Sequence, residues 1–157
     1  MTAHYHSVEM TSDVPHESRP IADLPPGYRP TDDEPFMNPL QVEYFRRRLL
    51  QWREDILKES NQTLQNLQEG SVQEPDISDR ATTEAERALE LRTRDRQRKL
   101  IGKIEAALRR IEEGSYGFCE ETGDPISLSR LEARPIATLS IEAQERHERR
   151  EKTYRDD

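Results

Sequence analysis

Two apolar series at helical spacing, separated by a short polar break, constrain this chain more than any other feature. The first runs through Val42, Phe45, Leu49, Trp52 and Ile56, then more weakly through Thr63 or Leu64, and Leu67. Steps of three and four residues place such positions on one helix face, as a narrow seam. The second series is clearest at Ile101, Ile104, Leu108 and Ile111, with Thr93 and Gln97 near the seam closer to its start. Between them Gly70 and Pro75 interrupt the pattern, and Pro75-Asp76-Ile77-Ser78-Asp79-Arg80-Ala81 supplies a polar turn with two aspartates. Consecutive helices joined by a short break pair antiparallel. The spacing predicts helices over Pro39–Gln68 and Arg80–Glu113; about 30 residues each, at 1.5 Å per residue, give a rod about 45 Å long.

Local signals agree with those limits. Asn38 suits the N-cap and Pro39 the first helical position, where a missing N–H costs nothing. Gln41 is spaced to complete a capping box, and Met37 with Val42 to form a hydrophobic staple. Ser78 or Asp79 can cap the second helix. Gly114 fits the position after its last turn.

Composition favours thin seams over a large core. Of 157 residues, 32% are apolar and 36% charged, room for one domain with appendages. Residues 1–36 hold six of the ten prolines and no sustained periodicity, so they read as a flexible arm. Residues 37–113 form the hairpin, with its acidic tip at about 69–79. Residues 114–139 are turn-rich, with Tyr116-Gly117-Phe118-Cys119 and Thr122-Gly123-Asp124-Pro125, and predict a small knob. Ser140 looks like the cap of a further helix, from Ile141 to about Lys152, within the C-terminal unit 140–157. The fold class is mainly α: a long antiparallel coiled-coil hairpin, a knob and a C-terminal helix. No stretch is long and apolar enough to span a bilayer, and no signal-peptide hydrophobic region appears. One cysteine excludes an internal disulfide framework. A cytoplasmic monomer is the simplest expectation. The formal net charge of −8 argues against general nucleic-acid binding, which needs a basic footprint.

Charge is segregated along the rod. From Gln68 to Glu90 seven acids face two bases; from Arg92 to Arg110 eight bases face two acids. Arg92, Arg96, Lys99 and Lys103 share one helix face, roughly opposite the apolar seam. Such a stripe can grip a polyanion or an acidic protein surface, or simply be a solvated helix exterior. Asp76 and Asp79 likewise suit turn formation and capping. They also suit contact with a metal ion or basic side chain in a partner's active site. A cap uses one carboxylate oxygen and leaves the other free.

Several segments together resemble the DksA/TraR family of bacterial transcription factors. They are Tyr44-Phe45-Arg46-Arg47 with Trp52-Arg53, the turn Pro75–Ala81, Leu89-Glu90-Leu91-Arg92-Thr93-Arg94-Asp95-Arg96, Lys99-Leu100-Ile101, Gly117-Phe118-Cys119-Glu120 and Arg130-Leu131-Glu132-Ala133-Arg134-Pro135. The resemblance covers about residues 36–152, in order. It implies a protein that binds RNA polymerase rather than DNA, with no direct sequence-specific DNA contact. The coiled coil would enter the polymerase's secondary channel, and its acidic tip would act near the active site. Promoter complexes would be altered at stable-RNA and biosynthetic genes, together with the alarmone ppGpp. The matching positions are Asp76, Asp79 and Ala81 for the tip. For ppGpp they are Arg96, Leu100 and Lys103, with Arg92 on the same stripe. The family also has a lysine where this chain has Gln144.

The sequence departs from the family in the knob. Four zinc cysteines in two C-x2-C pairs are usual; here the positions read Cys119, Thr122, Ser140 and Ala143. Alanine has no ligand atom, and neutral hydroxyls are poor zinc ligands. The sequence therefore predicts a degenerate zinc-finger-like knob with no zinc and no stably bound cofactor, ppGpp being a co-effector at the polymerase interface. Phe118, Ile126, Leu128, Leu131, Ile136, Leu139 and Ile141 would hold the knob together. The chain is expected not to be an enzyme. Two other readings are open: a Gre-like factor delivering Mg²⁺ for transcript cleavage, and a coiled-coil adaptor with no polymerase role.

Overall fold

A computed structural model describes residues 19–69 and 77–155. Its helices, in chain order, are α1 (Pro39–Glu69), α2 (Ile77–Glu113), α3 (Leu128–Ala133) and α4 (Ile141–Arg155). Among the described residues no strand forms; one isolated antiparallel bridge joins Phe118 to Pro125.

The start of α1 follows from its side chains. Asn38 Oδ1 accepts from the backbone N–H of Leu40 at 3.0 Å and of Gln41 at 3.3 Å. Gln41 Oε1 accepts from the Met37 N–H at 2.8 Å, one residue outside the cap. Helix α2 begins at Ile77, so Ser78 and Asp79 lie inside its first turn rather than capping it. Residue 76, just before the helix, lies outside the described residues. At the other end Gly114 takes φ +79°, the left-handed conformation a helix stop requires. The N–H groups of Ser115 and Tyr116 then reach the Arg110 carbonyl at 2.9 and 3.2 Å.

Helices α1 and α2 pack as an antiparallel hairpin. Phe45, Leu49 and Ile56 on α1 share a buried cluster with Ile104, Ala107, Leu108 and Ile111 on α2. Toward the other end, the Ser60 hydroxyl donates to Gln97 Oε1 at 2.7 Å. The knob completes the cluster with Tyr116, Cys119, Ile126, Leu128, Leu131, Ile136, Ala137 and Ala143. Each such buried apolar side chain contributes roughly 1.5–3 kcal/mol if large, less for Ala and Cys. Two side chains expected to hold the knob together are largely outside it: Ile141 is 48% exposed and Phe118 36%. Phe118 meets Phe36 edge-on, with ring centroids 5.4 Å apart.

Residues 19–38 form a strap against the base of the hairpin, which corrects the expected flexible arm over this part. Its hold is polar. The Ile21 N–H donates to Glu43 Oε2 at 2.9 Å, and Gln41 Nε2 donates to the Thr31 carbonyl at 3.2 Å. The Tyr28 hydroxyl donates to Glu34 Oε2 at 2.6 Å, and the Tyr28 ring lies edge-on to Tyr44. Glu43 is fully buried; Arg46 and Arg47 neutralise it at 3.0 and 2.9 Å. At its end the strap touches the knob. A Cβ on Gly117 would sit 3.0 Å from the Met37 side chain. Helix α3, capped by Ser127, is tied to α1 where Arg48 donates to the Glu132 carbonyl at 2.8 Å and its carboxylate at 3.1 Å.

Candidate functional site

At the tip, Asp76 lies outside the described residues. The backbone of Asp79 is in the first turn of α2, where a carboxylate suits the helix dipole; its side chain is outside the described set. Ala81 is exposed.

Along α2 the cationic stripe faces solvent: Arg92, Arg96, Lys99 and Lys103 are all exposed. Lys99 Nζ lies 3.1 Å from Asp95 Oδ2, and Arg98 Nη2 lies 2.8 Å from Asp95 Oδ1. The hydrogen bond and charge of Lys99 hold the Asp95 carboxyl below its ordinary value, with a smaller effect from Arg98. Leu100 is half-buried against the core cluster.

The stripe ends at a cavity of about 180 Å³ between α2 and the knob. Lys103, Arg110, Arg130, Arg134 and Gln144 line it, together with the segment Ile136–Leu139. Its walls are fixed by backbone bonds. The Glu120 N–H reaches the Thr138 carbonyl at 2.8 Å, and Arg130 Nε reaches the Leu139 carbonyl at 2.8 Å. Tyr116, whose hydroxyl donates to the Pro135 carbonyl at 2.7 Å, anchors the turn from below. Burial raises the Tyr116 phenol well above its ordinary value. Among the described residues no carboxylate lines the cavity, and none forms an ion pair with Lys103, Arg130 or Arg134. Like charges held together in a partly dry recess repel one another, and a polyanion relieves that repulsion.

Of the expected contact residues, Lys103 and Gln144 therefore line one cavity; Arg92, Arg96 and Leu100 lie along α2 toward the tip. Gln144 Nε2 is bonded to Glu148 at 3.0 Å. Arg110, Arg130 and Arg134 are functional candidates that sequence spacing did not bring forward. Arg130 lies on α3 and Arg134 is the residue that ends it, so the fold of the knob rather than a helical spacing brings them to the cavity.

In the knob, the Ser140 hydroxyl accepts from the Ala143 N–H at 3.2 Å and caps α4. The Thr122 hydroxyl accepts from the Asp124 N–H at 3.2 Å. Cys119 is buried. Burial alone would push its thiol up, but hydrogen bonds from the Thr122 side chain and from the backbone at Ser140, Thr122 and Glu121 outweigh that effect. The thiol is held at about 6.

Two families match this chain. Residues 41–111 match the N-terminal domain of DnaK suppressor protein DksA, and residues 114–149 match the prokaryotic dksA/traR C4-type zinc finger. The chain is 65% identical over 130 residues to the RNA polymerase-binding transcription factor DksA of Caulobacter vibrioides, covering 83% of this chain and 92% of the relative. To the protein of the same name in Escherichia coli it is 44% identical over 132 residues, covering 84% and 87%. The structure of transcription factor DksA2 from Pseudomonas aeruginosa superposes with a TM-score of 0.70 at 40% identity, covering 74% of this chain and 90% of that one.

The second family match corrects the expectation of no zinc and no stably bound cofactor: residues 114–149 match a family described as a zinc finger, and the match points to zinc binding. The donor set is a separate matter. One buried thiol, two hydroxyls accepting backbone N–H groups and the methyl of Ala143 do not fit a four-thiolate site. Among the described residues no three His, Cys, Asp or Glu side chains cluster to hold a metal.

Proposed function

This chain belongs to the DksA/TraR family, and on that premise we propose that it is a transcription regulator that binds RNA polymerase. The observation that carries this reading is the 65% identity to a polymerase-binding relative, extending over 130 residues that include both hairpin and knob. In the proposed complex the hairpin enters the secondary channel. Asp76, Asp79 and Ala81 lie nearest the catalytic centre, where charge and hydrogen bonding alter the polymerase's own chemistry. The protein supplies no catalysis of its own and works in the cytoplasm. The alarmone ppGpp joins at the stripe and cavity, with Arg96, Leu100 and Lys103 contacting it beside Gln144. The cation-lined recess supports that placement, because tetraphosphate-level charge favours clustered Arg and Lys donors.

Capture of core RNA polymerase by the tagged protein tests the partner; no capture would end the proposal. For the tip, Asp79→Asn should keep polymerase binding and lose most regulation of a ribosomal promoter in vitro. Unchanged repression would remove Asp79 from its assigned role.

A further inference from the structure

We propose that Arg110 grips the phosphate end of the ligand in the cavity, and that Glu120 competes with the ligand for it. The inference rests on the reading that ppGpp is held at this surface. Arg110 stands in the last turn of α2, and its backbone carbonyl is fixed by two N–H groups. Its side chain is only 17% exposed, with Nη2 buried and lacking any hydrogen-bond partner. A buried donor without an acceptor is costly, and more so when charged. The nearest carboxylate is Glu120, with Oε1 3.9 Å from Nη1 and its side chain 58% exposed. That pair is too long for a good hydrogen bond and too wet to be strong. Arg110 is thus a charged side chain held in place by burial and only weakly engaged by Glu120, on the wall of a cavity that also presents Lys103, Arg130 and Arg134.

Size narrows what enters. A recess of about 180 Å³ is well below the roughly 300 Å³ at which pockets enclose a whole small molecule. It takes a diphosphate group and leaves the nucleoside outside, toward Leu100 and the stripe. Gln144 is an uncharged wall of the same cavity, which leaves a larger share of the attraction to Arg110. Glu120 sits on the knob, and its backbone N–H holds Thr138 of the cavity wall. Ligand binding at Arg110 therefore draws on the same group that links knob to rod.

The test is in vitro transcription from a ribosomal promoter, with the full chain saturating RNA polymerase and ppGpp titrated. Arg110→Gln should raise the ppGpp concentration for half-maximal effect about tenfold, as expected for losing a charge-assisted hydrogen bond. Arg110→Lys should restore part of that loss. Glu120→Gln should lower the same concentration by up to about threefold, the scale of a surface ion pair. If Arg110→Gln stays within about twofold of the parent while Lys103→Gln and Arg134→Gln raise the value, Arg110 is not the grip, though ppGpp does bind here. No change in any of the three would sink the binding surface itself. Should Arg110→Gln fail to fold, Glu120→Gln decides: an unchanged or raised value overturns the competition.

Discussion

The two halves of the rod are built on different physics. In the half nearest the knob, Phe45, Leu49 and Ile104 are fully buried and Ile56, Leu108 and Ile111 nearly so. In the half toward the tip, among the described side chains of residues 57–69 and 80–103, none is buried. The helices there meet through a polar bond, Ser60 to Gln97. Thr63 and Thr93 turn their hydroxyls back onto the Glu59 and Leu89 carbonyls of their own helices. What sustains the outer half is helix propensity and pairs along each helix, such as Asp95 with Lys99. Stability is concentrated at the base, and the outer half presents surface. The proposed polymerase-facing residues are therefore open to change at little cost to folding.

The largest expected effect tests that contrast directly. Ile104→Ala should cost about 3 kcal/mol, as for a large residue removed from a packed core. Leu91→Ala, at a site 59% exposed, should stay within about 0.5 kcal/mol. Urea denaturation of both variants measures the difference, and equal losses would erase the distinction. A smaller effect is expected from Ser60→Ala, about 1 kcal/mol for one hydrogen bond. It should appear as faster amide exchange around Ser60 and Gln97, with the base unaffected. Faster exchange along the whole rod would mean that the halves unfold as one.

Least disruptive is the acid response of the strap. The Tyr28 hydrogen bond, opposed by burial and helped by Asn38 and Thr31, holds the Glu34 carboxyl below its ordinary value. A depressed carboxyl stabilises the fold above its ordinary pKa, and the gain is lost as pH falls through the depressed value. Burial, then the bond to Glu34, pushes Tyr28 up to about 12. Its contribution is present below the ordinary phenol value and lost as pH rises through about 12. The strap should therefore loosen at both extremes while the rod stays helical. Nuclear magnetic resonance of the Ile21 amide follows this, and Glu34→Gln should abolish the acid limb. A rod that melts together with the strap would show that the base needs it.

The hairpin was legible because its seam repeats at a helical period and Asn38, Gln41 and Gly114 mark its ends. The strap was not. It has no period, and beside Phe36 and Met37 its hold comes from Glu34, Gln41 and Glu43, polar residues that a sequence pattern assigns to solvent. Glu43 is buried only because the strap covers it and two arginines neutralise it. The cavity was legible only in part. Lys103 belongs to a visible stripe, whereas Arg110, Arg130 and Arg134 converge through the fold of the knob, which has no local signature. Ile141 was expected inside the knob as an apolar residue beside a cap, yet α4 turns it outward and buries Ala143 instead.

Gly102 stands on α2 where the buried seam gives out, with open space around its missing side chain. A glycine inside a helix is about 1 kcal/mol less favourable than alanine. The neighbouring Leu100 and Ile101 are only half-buried against the core cluster. In mechanical terms the protein is a thick handle joined to a thin blade, with a helix-weakening residue at their junction. A blade that yields at its root can follow the walls of a narrow passage without loosening the handle.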